Sequence, residues 1–379
     1  MKKAKSWMLA AILFCGSMSV TAQESSEQFS IATLNVDGLP KKVLVFNINA
    51  DGPGDSGSAR IGKYLLRKGY DLMFLQEDFN YHDVISVFLE DDYKFDTWSG
   101  NVGLDGHTVD FLHMQNHRYE CDGLMTCWKN DLTVTPAPRV AWQQSFGKFS
   151  HANDEMVTKG FRRYEVTLRD GTRIICYNMH MDASDNKDKE DQNDGKDKAA
   201  RMAQWTQLKA DIMSQLNTRP IIITGDMNSF YGRDAVKTQF IDAINDSGLG
   251  TVSDVWVELK NGGTYPTEIP QGEGTVETLD KILYINPTTG TKIKPVAYTL
   301  DKTNYVYDDK PLGDHYPVAA TFQVVSKGTG IDNATLVIEN EQTITDKNVY
   351  NLKGQHISQP QGGIYIERQG ETFSKRIIK

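Results

Sequence analysis

Asp226 and Asn228 stand two residues apart where an apolar run, residues 220–226 (PIIITGD), gives out. In extended backbone, positions two apart point to the same side. A carboxylate and an amide would thus sit together, able to hold a nucleophilic water and to hydrogen-bond an anionic oxygen. Asp, Asn and Gly also favour turns for conformational reasons alone, so this stretch by itself reads first as a strand-to-loop turn. Repetition changes the weighing. Apolar runs also end at Asn35, Glu77 and His180; Asp280 precedes another, and Asp314 and His315 precede a last one. Glu77, Asp314 and Asn35 are hard oxygen donors suited to Mg²⁺, which takes one or two carboxylates and keeps several waters. His180 and His315 can exchange protons near neutral pH. A cation on phosphate oxygens, a base for water and donors for developing charge are what phosphoester hydrolysis requires.

To meet, these residues need strands that end at a common edge. Residues 31–38, 71–78, 122–128, 161–168, 173–182, 220–226, 278–285 and 313–322 read as strands, with the isoleucines of 221–223 buried on both faces. Helices are fewer. Residues 59–68 carry Ile61, Tyr64 and Leu65 on one face and stop at Gly69, and Asn80 is placed to cap a helix burying Val84, Val87 and Phe88. Residues 199–216 carry the stripe Met202, Trp205, Leu208, Ile212 and Leu216, and a further helix is expected near 234–245. Residues 51–58, rich in Gly and Asp, read as a flexible loop. Residues 93–120 lack a clear period, so His107, His113 and His117 read as loop residues, while Trp98 and Trp128 read as core. The charged run 183–198 reads as solvated surface, with a mobile lid as the alternative.

Short strands with few helices predict an α+β chain, a two-layer β-sandwich flanked by helices. Beyond a linker at 326–330, residues 333–379 hold short strands punctuated by Gly and Pro. This is a small C-terminal all-β module of roughly fifty residues, a size at which independent stability is marginal.

The 379 residues exceed a typical single domain. A formal net charge of −9 argues against generic polyanion binding, because a duplex binder usually presents a basic face. Residues 1–22 have the plan of a secretory signal peptide: Lys2, Lys3 and Lys5, an apolar stretch over 7–14 too short to span a bilayer, then Val20, Thr21 and Ala22 as the cleavage site. The expected product starts at Gln23 and is secreted or held at the cell surface or in the periplasm. Cys15 before Gly16 hints at a lipoprotein site, against which stands the bulky Phe14. The chain divides into a signal at 1–22, a catalytic domain at 23–325, and a linker with the β module at 326–379. Cleavage leaves Cys121, Cys127 and Cys176, an odd count with at least one unpaired. Along a continuous strand Cys121 and Cys127 are too far apart to bridge. Cys127 and Cys176 could face each other on neighbouring strands.

Residues 34–38 (LNVDG), 75–77 (LQE), 178–180 (NMH), 225–228 (GDMN), 279–282 (LDKI) and 313–318 (GDHYPV) occur in the order used by the endonuclease/exonuclease/phosphatase superfamily, which shares the fold of deoxyribonuclease I. The chain resembles that group over residues 29–323. The resemblance implies a divalent metal, Mg²⁺ or alternatively Mn²⁺ or Co²⁺, held on the phosphate by Asn35 and Glu77, often with Asp314. It implies His315, oriented by Asp280, as general base for in-line attack by water. Asp226 and Asn228 would position water and phosphate, and His180 would stabilise the transition state. Gly313 departs from the Ser of many members, while the metal-side Asp is kept.

Within the superfamily the chain is most similar to secreted neutral sphingomyelinases. The shared pieces are residues 122–125 (DGLM), 159–161 (KGF), 180–182 (HMD) ahead of an acidic loop, Arg201 and Gln204 on the next helix, and 314–317 (DHYP). This likeness implies hydrolysis of the phospholipid sphingomyelin to ceramide and phosphocholine at a membrane surface. The acidic balance fits a zwitterionic headgroup better than DNA, and no stable nucleic-acid partner is expected. One departure stands out. Bacterial members often carry an apolar hairpin before the Asp-His pair, whereas residues 297–307 hold tyrosines and no tryptophan. Tyr298, Tyr305 and Tyr307 read equally as interfacial residues or as strand packing. Lys159 reads as solvated, with phosphate contact as the alternative. The tail, residues 349–355 and 362–366 before a basic end, resembles the C-terminal sorting modules of secreted Bacteroidetes proteins; a structural cap is the alternative. Two rival functions remain: an extracellular endonuclease of the same fold, and a non-catalytic surface binding module.

Overall fold

A computed structural model describes residues 27–43, 46–100, 114–115, 118–148, 151–184, 195–269, 277–325, 348–351, 355–369 and 372–378. The expected signal peptide, the linker, His107, His113, His117 and residues 185–194 of the charged run lie outside these residues. The strands are β1 (Gln28–Asn35), β2 (Leu72–Gln76), β3 (Tyr93–Phe95), β4 (Met125–Lys129), β5 (Thr133–Ala141) and β6 (Gly160–Thr167). They continue as β7 (Arg173–His180), β8 (Ile221–Asp226), β9 (Gly250–Asp254), β10 (Asp280–Pro287), β11 (Lys292–Leu300) and β12 (Val318–Val325). Sheet I has the order β11-β12-β1-β2-β4-β3, and sheet II the order β9-β10-β8-β7-β6-β5.

The directions of these strands set where the polar residues go. β1 and β2 run parallel, as do β7 and β8, whereas β12 and β10 run antiparallel to β1 and β8. The ends of β1, β2, β7 and β8 and the starts of β10 and β12 therefore share one edge of the sandwich. The sheets pack face to face through Phe29, Ile31, Phe74, Tyr164, Ile222 and Phe322. Ile221, Ile222 and Ile223 are all fully buried, as their sequence anticipates. Each such side chain contributes about 1.5–3 kcal/mol by leaving water. Helix α1 (Gly54–Lys68) lays Ile61, Tyr64 and Leu65 on the outer face of sheet I, and α3 (Gly195–Gln215), which follows the short α2 (His82–Ser86), lays Trp205, Leu208 and Ile212 on that of sheet II.

A buried polar link crosses the apolar interface near the site. Asn178 of β7, fully buried, donates through Nδ2 to the carbonyls of Leu75 (3.1 Å) and Met125 (3.0 Å) and accepts from Gln76 Nε2 at 2.7 Å. Its partners belong to sheet I, so the link fixes the height of His180 relative to Glu77.

Several local expectations need correction. α1 starts at Gly54, inside the stretch expected to be a loop. Pro53 has the fixed φ that suits a helix start, and Asp55 in the first turn favours the helix dipole. Asn80 does not cap α2: the N-cap is Tyr81, with no side-chain hydrogen bond, and Val87 is 53% exposed rather than buried. The strand expected at 122–128 begins at Met125, because Gly123 adopts a left-handed turn at φ 66°. Residues 93–95 form β3 on the β4 edge, and Trp98 is only half-buried. The helix expected near 234–245 is present, its first part a π-helical turn, Lys237–Asp242, that runs into α4 (Ala243–Asp246). Cys127 lies on sheet I and Cys176 on sheet II, so they do not face each other on neighbouring strands. These two and Cys121 are free, buried thiols.

The C-terminal module, described by itself, is a four-stranded sheet of Asn348–Tyr350, His356–Ile357, Gly363–Gln369 and Thr372–Ile378. Among the described residues no helix is long and apolar enough to cross a membrane.

Asn178→Ala is expected to lower stability by about 1–3 kcal/mol, because it removes the side-chain donor to two buried carbonyls and one of the two acceptors of Gln76 Nε2. Chemical denaturation measures this, and an unchanged midpoint and slope would remove Asn178 from the account of sheet registration.

Candidate active site

The polar edge gathers its residues from both sheets. Sheet I brings Asn35 and Glu77; sheet II brings His180, Asp226 and Asp280, which face one another across the β7–β8 and β8–β10 ladders. Asp314 and His315 enter on the segment before β12. Gly225 makes the close β7–β8 approach achievable, since a Cβ there would strike the Met179 carbonyl and its φ is 144°. Asn228 then turns left-handed at φ 45°, donating its backbone N–H to Asp226 Oδ1 (3.0 Å) and its Nδ2 to the Met181 carbonyl (3.1 Å).

His315 Nδ1 pairs with Asp280 Oδ2 at 2.6 Å, which leaves Nε2 facing inward, 3.8 Å from Asp226 Oδ2 and 4.0 Å from Asp314 Oδ1. His180 Nε2 lies 3.4 Å from Asp226 Oδ2 and 3.8 Å from Glu77 Oε1. Asn35 Nδ2 donates to Glu77 Oε1 (2.8 Å) and Asp226 Oδ2 (3.1 Å), while its Oδ1 accepts from Asp37 N (2.9 Å). All eight expected site residues except Asn35 line one cavity of about 890 Å³, and Asn35 stands directly behind Glu77.

Burial alone would raise Asp226, but the neighbouring His315 and His180 outweigh it and hold the carboxyl well below the usual range. Burial likewise works against a charged His315, but Asp280 and Asp226 hold its pKa well above the ordinary imidazole value. The carboxylates around His315 therefore favour its charged form, and the imidazoles around Asp226 favour the ionised carboxylate.

For a metal, Glu77, His180 and Asp226 offer ligand atoms within 4.8 Å of one another, as do Asp226, Asp280 and His315. Of the set expected from sequence, Glu77 belongs to such a cluster. Asn35 turns its nitrogen rather than its oxygen toward Glu77, and Asp314, 47% exposed, stands at the rim outside both clusters. Converging carboxylate oxygens on an open cleft fit a hard divalent cation that keeps several waters.

The cavity also holds residues that sequence reasoning did not single out. Asp37, left-handed at φ 51°, lines it, and burial together with the charges of Asp314 and Glu77 pushes its carboxyl up to about 7. Its position two residues past Asn35, within LNVDG, was the available signal. Lys159 is not solvated: it is 8% exposed and ion-paired with Asp154 beside the cavity. Leu39, Pro40, Ile48, Phe79, Met156 and Val157 form an apolar flank. The tyrosines divide. Tyr305 is fully buried against Tyr64 and Tyr316, and Tyr298 packs on the core, so neither is interfacial; Tyr307 is 57% exposed beneath Arg60.

No protein-family model matches the chain, and no curated protein matches it in sequence. Solved structures do match. An endonuclease/exonuclease/phosphatase from Bacteroides vulgatus aligns over 79% of this chain and 100% of its own, at 14% identity and a TM-score of 0.51. D. rerio TDP2 complexed with a single-strand DNA product aligns over 79% and 100%, at 17% identity and a TM-score of 0.50. The chain has the endonuclease/exonuclease/phosphatase fold. Sphingomyelinase C from Streptomyces griseocarneus aligns over 78% and 99%, at 17% identity and a TM-score of 0.48.

Within this fold, the segment after β7 is held by α3. Asp182 N donates to Gln204 Oε1 (2.9 Å), and the fully buried Arg201 reaches the Asp182 carbonyl (3.4 Å) and Asp234 (3.2 Å). The Asp182 carboxyl accepts from Phe146 N at 2.8 Å, and burial, with Asp154 and Asp197 nearby, pushes it up to about 8. A carboxyl with a raised native pKa binds its proton more tightly folded than unfolded. Stability therefore falls as pH rises from the unfolded value near 4 to the native value near 8. Asp182→Asn should match the parent in melting temperature near pH 4 and exceed it increasingly toward pH 8. A gap that stays constant or narrows across that window would contradict the proton assignment.

Proposed function

We propose that the chain is an exported, divalent-metal-dependent phosphodiesterase that hydrolyses sphingomyelin to ceramide and phosphocholine by in-line attack of water. The observation that carries this reading is the His315–Asp280 pair facing Asp226, His180 and Glu77 across one cavity with an apolar flank. Asp280 holds the Nδ1 proton of His315, which leaves Nε2 to take the proton of the attacking water. Asp226 and Asn228 orient the water and the phosphate, and His180 faces the charge that develops on the phosphoryl oxygens. Glu77, with Asn35 behind it and Asp314 at the rim, would hold the cation. When bound, the cation supplies positive charge that polarises the phosphate and offsets the carboxylates that otherwise keep His315 protonated.

A lipid substrate is favoured over DNA by what lines the cleft. Leu39, Pro40, Ile48, Phe79, Met156 and Val157 suit an apolar alcohol. Of the cations that also line it, Lys159 and Arg233 are engaged with Asp154 and Asp234, while Lys302 lies over the Tyr316 ring. Five carboxylates, Asp37, Glu77, Asp226, Asp280 and Asp314, face the same space and disfavour a polyanion. The rival endonuclease reading rests on the DNA product held by the TDP2 neighbour. Export after cleavage at Ala22 and a catalytic unit spanning 23–325 belong to the same proposal.

The test is phosphocholine release from sphingomyelin vesicles, with Mg²⁺ and with EDTA, beside plasmid nicking. Metal-dependent phosphocholine release without nicking is expected; nicking without release would replace the lipid by DNA. His315→Ala should lower turnover by about 10²–10⁴-fold with the fold intact by circular dichroism. Undiminished hydrolysis by that variant would refute the proposed base.

A further inference from the structure

Glu77 carries a backbone strain that its neighbours outside the cleft must hold. Its φ is 55°, a left-handed conformation that a non-glycine residue keeps only when the surroundings over-determine it. It also belongs to sheet I, yet its carboxylate must meet His180 and Asp226 of sheet II.

The turn is pinned from the side away from the cavity. Asp78 N donates to the Gly123 carbonyl at 2.9 Å. Gly123 allows this approach, because a Cβ there would lie 2.7 Å from the Phe79 ring and 3.2 Å from Glu77 Cα. The Gly123 turn is closed in its turn by Asp122, whose Oδ1 accepts from Leu124 N (2.9 Å) and Ser99 Oγ (2.7 Å). Asp122 is 5% exposed, and its charge is met by Arg139. Nη1 of Arg139 lies 2.6 Å from both Asp122 oxygens and 3.2 Å from the Leu124 carbonyl, while Nη2 donates to the Thr97 carbonyl. Arg139 sits on β5 of sheet II, so this ion pair joins the two sheets just behind the metal-side turn. None of Arg139, Asp122 and Gly123 lines the cavity.

We infer that Arg139 is a positioning residue for Glu77. Through Asp122, Gly123 and Asp78 it fixes the carboxylate of sheet I against the ligand atoms of sheet II, and so sets the affinity of the site for a divalent cation. The inference rests on the proposed role of Glu77 in holding that cation. Removing Arg139 leaves a buried carboxylate without its counter-charge, the Asp122–Leu124 turn relaxes, and the strained Glu77 loses its anchor. Residues that orient metal ligands from behind typically control 10–100-fold in affinity.

The experiment is titration of the full chain with Mn²⁺ alone, read by the electron paramagnetic resonance of free Mn²⁺, beside thermal unfolding. Arg139→Met should weaken Mn²⁺ binding by about 10-fold or more, and Arg139→Lys, which keeps the charge but not the fork, should recover part of it. The comparison is Arg169→Met, which cuts a sheet-crossing ion pair at the opposite end, with Asp71 and Asp131 each 2.6 Å away. That variant should melt earlier and bind Mn²⁺ as the parent does. If Arg139→Met does not fold, Asp122→Asn, which keeps the hydrogen bond from Leu124 N, takes its place with the same loss expected. Parental affinity in whichever folded variant is measured overturns the inference and leaves Arg139 a structural staple. Glu77→Gln separates the two levels: weakened binding there with unchanged binding in the Arg139 variants sinks the positioning role alone. Unchanged binding in Glu77→Gln sinks the metal assignment and the inference with it.

Discussion

Asn35 gives one amide nitrogen to two carboxylates, Glu77 Oε1 at 2.8 Å and Asp226 Oδ2 at 3.1 Å, and that fork is where sheet I meets sheet II at the polar edge. Buried carboxylates this close repel, and each loses hydration that only matched donors restore. Asn35, His180 and His315 supply those donors from three separate strand ends. The arrangement is therefore conditional on registration: a small slide of one sheet on the other would leave Asp226, 1% exposed, facing Glu77 without an intervening donor. Asn178, with Gln76 and the Leu75 carbonyl, prevents such a slide from inside the core. The apolar face supplies the driving force for closing the sandwich, and these few polar links select its height.

The parts of this arrangement that could be read from sequence follow a simple pattern. A β-branched run that stops at a chemically useful residue is visible in one dimension, so Asn35, Glu77, His180, Asp226, Asp280 and His315 stood out together. Strand direction then carries them to one edge. What could not be read depends on partners far along the chain. Lys159 looked like any surface lysine because nothing local announces the ion pair with Asp154 under the cavity wall. Asn80 had the residue type of a cap, but the chain turns one residue later and α2 starts without it. Cys127 and Cys176 invited pairing because sheet assignment, which separates them, is a tertiary property. The tyrosines of 297–307 have the same composition whether they face lipid or core, and only packing against Tyr64 and Tyr316 decides for Tyr305.

The proposed activity would place two opposing requirements on the cavity. Carboxylates must converge for a hard cation to be held, and an apolar alcohol needs a dry wall. The fold separates them by element. Strand ends supply the charged floor, whereas the connections after β1 and β2 and the segment before β6 supply Leu39, Pro40, Phe79, Met156 and Val157. Loops can change such a wall without disturbing the registration beneath it.

Backbone strain points to the same place independently of any side-chain chemistry. Among the described residues, non-glycine positions with positive φ are Asp37, Glu77, Ala152, Asn153, Asn228, Asp308 and Asp309. The last two make the tight turn of a surface hairpin, where such angles are routine. The other five all line the cavity. Each costs of order 1–3 kcal/mol and persists only where the surrounding structure over-determines it. For Glu77 and Asn228 the determining bonds are on view: the Glu77 carbonyl accepts from Gly38 N at 3.1 Å and Phe79 N at 2.8 Å, and Asn228 N bonds the carboxylate it follows. A fold under selection for stability alone would relieve these positions with glycine. Retaining a carboxylate and an amide there, with their side chains aimed into the cleft, is the arrangement expected where the side chain is worth more than the strain.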